Sequence, residues 1–314
     1  MEPELPDGLL AGHWTNASGT SGCTVLLAPE GAIGGVEVRG GGPGTRETDV
    51  LAPSSGARHV HGVVFTGGSA FGLASADGVV GWLTERGHGH LTRAGIRVPL
   101  VPAAVVFDRG ALDPDARPGA AAGRAACDAA APGMPARGRI GAGASTASGK
   151  LLDPDAWTPT GVGAASERLD GTLVSALAVV NPVGDVLAED GTMLAGARRP
   201  DGSFVRTIDL LRSGEAAPPP PTREATVLVV VATDALLDRV GAWLVARAAS
   251  TGVARAIDPV ATAYDGDVAF CLATGAVEAD PFAVCAVAAH VAAAAVRDAA
   301  LSARAAPRSP GPGA

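Results

Sequence analysis

The chain has no glutamine, one lysine (Lys150), one tyrosine (Tyr264) and two asparagines (Asn16 and Asn181) in 314 residues. Of its 24 Lys and Arg residues, all but Lys150 are Arg. Arg stays charged and cannot hand over a proton, whereas a buried Lys amine titrates. The one lysine is therefore either a chance survivor on the surface or a place where Arg would not serve. Cysteine is scarce too. Cys23, Cys127, Cys271 and Cys285 contain no C-x-x-C pair, which argues against a disulfide scaffold and a structural zinc site. A net charge of −8 leaves no basic footprint for nucleic acid. No uncharged apolar run reaches about 20 residues, so no membrane span is expected. The start Met1-Glu2-Pro3-Glu4 lacks a basic segment leading into an apolar one, so no signal peptide is read and a cytoplasmic location is expected.

What is present is globular in composition, with 47% hydrophobic and 18% charged residues. Disorder over most of the chain is excluded on that basis. The length suits one large domain or two small ones. Cys23 to Leu27, Ala32 to Val38, Val60 to Phe65 and Leu173 to Val180 read as strands, and residues 1 to 20 as irregular. Val98 to Phe107 reads as a strand demoted by Pro102 to an edge or bulge. Thr226 to Thr233 (Thr-Val-Leu-Val-Val-Val-Ala-Thr) is the strongest strand signal, apolar on both faces and so central in a covered sheet. Helices are expected at Ala70 to Arg86 (capped by Ser69), Gly119 to Ala131, Asp234 to Ala249 and Pro281 to Ala303. A run of four prolines at 218–221 reads as a stiff connector, and 306–314 as a tail without folding content. Interleaved strands and helices imply an α/β or α+β layered sandwich.

Several residues carry chemistry. Thr226 opens the strongest strand directly after the proline-rich stretch. Cut before Thr226, the chain would carry an α-amine of pKa about 7.7–8.0 beside a hydroxyl, able to act as that hydroxyl's base. Taken alone, Thr226 reads as a β-branched residue that starts a strand. The loop Gly67-Gly68-Ser69 opens a helix, where backbone N–H groups could hold an oxyanion or simply make a tight turn. It lacks the nucleotide-binding signatures. Asp265-Gly266-Asp267 sets two carboxylates two residues apart, for metal, amine or proton work, or as an ordinary Asp-Gly turn. Asp185, Asp234 and Asp258 read as caps. His59, His61, His88 and His90 form two H-x-H pairs without a completing ligand set and read as surface residues, and His290 as a packed one.

Together these segments resemble one family. Arg39-Gly40-Gly41-Gly42-Pro43-Gly44-Thr45-Arg46, Thr66-Gly67-Gly68-Ser69-Ala70-Phe71-Gly72, Gly149-Lys150, Val179-Val180-Asn181 with Gly184-Asp185, Val230-Val231-Ala232-Thr233-Asp234 and Asp265-Gly266-Asp267 occur in its order, from about residue 20 to 275. The chain looks like the autoprocessing L-aminopeptidase/D-alanine-esterase family, which includes β-aminopeptidases and nylon-oligomer hydrolases. The resemblance implies an α+β fold, a four-layer αββα sandwich, as a single catalytic domain. It implies self-cleavage between Ala225 and Thr226 into chains 1–225 and 226–314. Thr226 falls on the family's nucleophile, Asn181 on its oxyanion residue, Lys150 on its lysine, and Asp265 and Asp267 on its acidic pair. No metal or organic cofactor is implied. The partners implied are a small peptide, amide or ester substrate and further copies of the cleaved heterodimer. Neither nucleic acid nor membrane is implied. Two positions depart from the pattern. Ala225 stands where Asn or Gly is usual, and Phe107 where the family carries a Tyr that serves as an oxyanion donor. Two alternatives stay open: acyl transfer of the ornithine-acetyltransferase type, and an uncleaved, inactive homologue acting as a binding module.

Overall fold

The computed structural model describes residues 2–57, 59–216 and 224–305. The proline run at 218–221 and the tail from 306 lie outside the described residues. Nine strands form the main sheet system: β1 (Leu10–Thr15), β2 (Gly22–Val38), β3 (Thr45–Arg46), β4 (Val60–Thr66), β5 (Ala103–Val105), β6 (Val162–Leu169), β7 (Thr172–Asn181), β8 (Thr226–Ala235) and β9 (Val268–Val277). Five α-helices accompany them: α1 (Ser75–Glu85), α2 (Ala120–Asp128), α3 (Thr207–Ser213), α4 (Arg239–Ala254) and α5 (Pro281–Ala305).

β2 joins the two halves. Its first half pairs antiparallel with β1 and β4, and its second half with β9. The register against β4 shifts between Leu27 and Ala32. What the sequence presents as two short strands is thus one 17-residue strand crossing the sandwich. On one side the order continues through β4, β5 and β3, and on the other through β9, β8, β7 and β6.

Three apolar cores separate four layers. The first joins α1 and α2 to one sheet through Val25, Leu27, Val79, Leu83 and Ala126. A second lies between the sheets and holds Phe65, Leu177, Leu228, Val230 and Phe270. Val227, Val229 and Val231 meet α4 and α5 in the third. This is the α+β, αββα arrangement. β8 is apolar on both faces because alternate residues enter different cores, as its continuous apolar run requires. α5 has 25 residues, and its most apolar 18-residue stretch has mean hydropathy 1.6, enough by length and composition to cross a membrane even though Arg297 and Asp298 keep its uncharged run short of about 20 residues. Here it packs on α4, β6 and β7 and buries Ala288, Ala292, Val296 and Ala299 in the third core.

Local differences have physical causes. β1 runs through residues read as irregular, held as an antiparallel partner of β2. The Ala70 to Arg86 helix starts as a 3-10 turn, Ser69–Ala74, and Ser69 has φ 55° with no side-chain cap bond. Pro99 and Pro102 split the expected 98–107 strand into pieces at Arg97–Val98 and Ala103–Val105. Asp238 caps α4 by accepting Gly241 N–H at 2.7 Å, while Asp234 belongs to β8 and accepts Leu173 N–H. His61 is buried rather than on the surface, and His290 is exposed beside Glu167 rather than packed.

Candidate active site

β7 ends where β8 begins, and the antiparallel register sets Asn181 directly opposite Thr226. Residues paired this way point to the same face of a sheet. That face is the inter-sheet side, because Val179, Leu177, Leu228 and Val230 on the same alternation enter the middle core. Both residues are buried, at 2% and 6% exposure.

Two hydrogen bonds fix the Asn181 amide. Its Nδ2 donates to the Phe107 carbonyl at 2.9 Å, and its Oδ1 accepts Ala147 N–H at 3.2 Å. An Asn amide has two N–H donors, so the bond to Phe107 uses one of them. Thr226 Oγ1 donates to the carbonyl oxygen of the preceding residue, Ala225, at 2.5 Å. That oxygen also accepts Gly266 N–H at 2.8 Å, and Ala225 N–H donates to the Tyr264 carbonyl at 3.3 Å. The peptide between Ala225 and Thr226 is therefore held by main-chain groups of the 264–266 turn, so the identity of residue 225 matters little for its position. The Ala225 methyl is buried among Leu151, Val183, Ala197, Val205 and Leu210.

Lys150 is buried behind this peptide. Its Nζ donates to the carbonyls of Glu224 at 2.9 Å and Asn181 at 3.0 Å. It thus ties Glu224, just before the Ala225–Thr226 peptide, to the end of β7. Burial lowers its ammonium to about 7, against the pull of Asp265, Glu224, Asp108 and Asp267. The one lysine of the chain is a core group and not a surface survivor.

The acidic pair flanks Gly266, which lies against Thr226. Asp267 accepts Val227 N–H at 2.6 Å and Ala261 N–H at 3.0 Å. Asp265 accepts Thr262 N–H at 2.9 Å, the Thr262 hydroxyl at 2.5 Å and Val183 N–H at 3.4 Å. Asp267 thus braces the backbone just after Thr226, and Asp265 ties its own turn to the chain just after Asn181. Burial and the neighbouring Asp265 charge push the Asp267 carboxyl up.

The Gly67-Gly68-Ser69 loop needs correction as an oxyanion site. Gly67 N–H goes to the Gly22 carbonyl, Gly68 N–H to the Asp108 carboxylate and Ser69 N–H to the Val106 carbonyl. Gly67 is a glycine because a Cβ there would lie 1.8 Å from Asp108 Oδ2. What the loop contributes is a wall. Ser69 and Ala70, with Pro43, Val105, Phe107, Ala263 and Tyr264, line a cleft of about 350 Å³ that reaches Glu224, Ala225 and Thr226.

Thr226, Asn181, Lys150, Asp265, Asp267, Ala225 and Phe107 are therefore brought together, Phe107 through its carbonyl and as cleft wall. Sequence reasoning missed Gly266 N–H and the Glu224 carbonyl, which are backbone groups, and the buried Asp108. Tyr264 had a signal, being the single tyrosine next to the acidic pair. Among the described residues, no group of three His, Cys, Asp or Glu is placed to hold a metal ion.

A model of peptidase family S58 matches residues 7–308. The chain belongs to peptidase family S58. An uncharacterized aminopeptidase of Mycobacterium leprae is 42% identical over 295 residues, covering 87% of this chain and 75% of that protein. A 6-aminohexanoate-oligomer endohydrolase of Agromyces sp. is 33% identical over 264 residues, covering 83% and 71%. Among solved structures, the L-aminopeptidase D-Ala-esterase/amidase of Ochrobactrum anthropi, described as a variant of the Ntn hydrolase fold, superposes with TM-score 0.67 at 18% identity. That likeness covers 95% of this chain and 84% of that one and speaks to the fold. This S58 chain is a hydrolase.

Proposed function

We propose that this S58 hydrolase cuts itself between Ala225 and Thr226 and then uses Thr226 as an N-terminal nucleophile on small peptides, amides or esters. One observation carries the reading: Thr226 Oγ1 lies against the Ala225 carbonyl, whose oxygen is already held by Gly266 N–H.

In the first reaction Oγ1 attacks the Ala225 carbonyl carbon, and Gly266 N–H stabilises the negative oxygen. The C–N bond breaks, the hydroxyl proton ends on the departing nitrogen, and an ester joins Ala225 to Thr226 Oγ1. Water opens that ester, leaving a carboxylate on Ala225 and a free amine on Thr226. The two pieces stay associated because β8, on the 226–314 side, is a central strand between β7 and β9. In the mature enzyme the amine takes the Thr226 hydroxyl proton as Oγ1 attacks the substrate carbonyl. The second Asn181 N–H and Gly266 N–H serve the oxyanion. Lys150 lowers the amine's pKa by like charge, and Asp265 and Asp267 keep the strand end in place. Water then releases the acyl group.

Intact mass measurement and N-terminal sequencing of the purified protein test this. Two species beginning at Met1 and Thr226 are expected, and Thr226→Ala should remain one uncut chain. Active material consisting only of the full-length species would overturn the proposal.

A further inference from the structure

Asn181 can serve an oxyanion only while its amide points the right way. Its Nδ2 carries two N–H groups, and one of them is spent on the Phe107 carbonyl at 2.9 Å. That bond also sets the direction of the second N–H. Oδ1 accepts Ala147 N–H at 3.2 Å, so the amide cannot turn over without losing both partners. The aim of the second N–H is therefore only as firm as the segments that carry Phe107 and Ala147, and neither segment belongs to β7.

Those two segments meet at one buried corner. Asp108, next to Phe107, is 4% exposed. Its Oδ2 accepts the hydroxyl of the buried Ser21 at 2.7 Å, and its Oδ1 accepts Gly68 N–H at 2.9 Å. The carbonyl of Thr20, beside Ser21, accepts Gly110 N–H at 3.0 Å and the Ser145 hydroxyl at 2.7 Å. Ser145 Oγ in turn accepts Arg109 N–H at 3.1 Å. The Thr20-Ser21 corner thus holds the residue next to Phe107 and, through Ser145, the short segment leading to Ala147. The fold makes room for this arrangement. A Cβ on Gly67 would lie 1.8 Å from Asp108 Oδ2, and one on Gly110 would lie 2.3 Å from Ser21 Cβ. Neither glycine has a positive φ, so space and not backbone conformation requires them. Burial pushes the Asp108 carboxyl up, against the bonds from Ser21 and Gly68, and a buried carboxyl is tolerated only with such partners.

We propose, resting on the role given to Asn181 in the function above, that Asp108 is the positioning residue of the oxyanion site. With Ser21 it fixes the Phe107 carbonyl, and through that carbonyl it aims the second Asn181 N–H at the substrate oxygen. Asp108 does not touch the reacting atoms. Its effect is confined to turnover, because in self-cleavage the Ala225 oxygen is held by Gly266 N–H, which belongs to the 264–266 turn and not to the Asp108 corner.

The self-cut protein is assayed with whichever of a set of aminoacyl p-nitroanilides and p-nitrophenyl esters the wild-type enzyme turns over fastest. Asp108→Ala should lower kcat by about tenfold or more with little change in KM, as misplacement of a reacting group does. Asp108→Asn keeps an oxygen for Gly68 N–H and should recover part of the loss. Self-cleavage of both variants should run at the wild-type rate. Coupling to Asn181 is the decisive readout. In the Asn181→Ala background, which has no amide to aim, Asp108→Ala should lower kcat further by less than about twofold. A merely structural role would give losses that add in the double variant, or would slow self-cleavage along with turnover, and either result overturns the inference. Should Asp108→Ala fail to fold, Ser21→Ala removes one bond and leaves the Gly68 contact, and the same comparisons are made with it. Wild-type kcat in both Ser21→Ala and Asp108→Asn also overturns the inference. Any of these results in a cut, active enzyme leaves the hydrolase reading standing. A wild-type protein that never cuts itself sinks both.

Discussion

Asn181 and Thr226 face each other across the β7–β8 ladder, where β8 begins at the cleft. Hydrogen bonds to Phe107 and Ala147 lock the Asn181 amide, so its position relative to Thr226 is set by the sheet and not by a mobile loop. Replacing Asn181 with Ala removes the proposed oxyanion donor, which a rigid element holds. Turnover should fall by about 10²–10³. The same change leaves the buried Phe107 carbonyl and Ala147 N–H short of a partner, at a cost of about 1–3 kcal/mol. Rate and thermal midpoint measured together separate the two effects. An unchanged kcat with a lowered midpoint would reduce Asn181 to a structural residue.

Gly266 offers a sharper test of self-cleavage. A Cβ at this position would lie 2.8 Å from Thr226 Oγ1 and 2.9 Å from the Gly42 carbonyl oxygen. Gly266→Ala therefore moves the Thr226 hydroxyl or the turn by a few tenths of an ångström and disturbs the N–H that holds the Ala225 oxygen. Small misplacements of reacting atoms are costly, so self-cleavage should slow by about tenfold or more. Gel densitometry of freshly made protein over time gives the rate. Processing at the wild-type rate would mean that Gly266 does not border the reacting atoms.

The strands and side chains of this site were legible in the sequence to different degrees, for physical reasons. β8 announces itself through an unbroken Val-Leu-Val-Val-Val run, and Lys150, Asn181 and Tyr264 through rarity. β6 escaped notice because Val-Gly-Ala-Ala-Ser-Glu-Arg-Leu has little intrinsic strand preference and is specified by pairing with β7 and packing under α5. The groups that hold the Ala225–Thr226 peptide, Gly266 N–H and the Tyr264 carbonyl, belong to the backbone, as does the Glu224 carbonyl that Lys150 grips. No residue type advertises them, and only the fold brings 224–226 against 264–266. Asp108 is one of 32 acidic residues, and its contact with Gly68 depends on tertiary structure.

Phe65 and Phe270 meet between the two sheets with ring centroids 5.9 Å apart, and both are almost fully buried. This contact joins strands on opposite sides of the sandwich, so removing a ring opens a cavity that neither rigid sheet can close. Phe270→Ala should cost about 3–5 kcal/mol. Chemical unfolding of the uncut Thr226→Ala background gives the number without interference from cleavage. A loss below about 1 kcal/mol would show that the sheets collapse together more freely than their strand ladders suggest.

Lys150 sets a pH dependence whose sign is fixed. Burial lowers its ammonium to about 7 in the folded chain, while the ordinary value of 10.5 returns on unfolding. Between those values the unfolded chain holds the additional proton, so stability rises with pH across that window. Below about 7 both states are protonated and the full cost of burying the cation is present. Lys150→Met removes this titration, so its stability should climb less than that of the parent as pH rises toward about 10. Urea midpoints at about pH 7, 8.5 and 10, each in the Thr226→Ala background, make the comparison on an intact chain. Curves that run parallel for the two proteins would show that the lysine keeps its ordinary protonation when folded and that burial does not shift it.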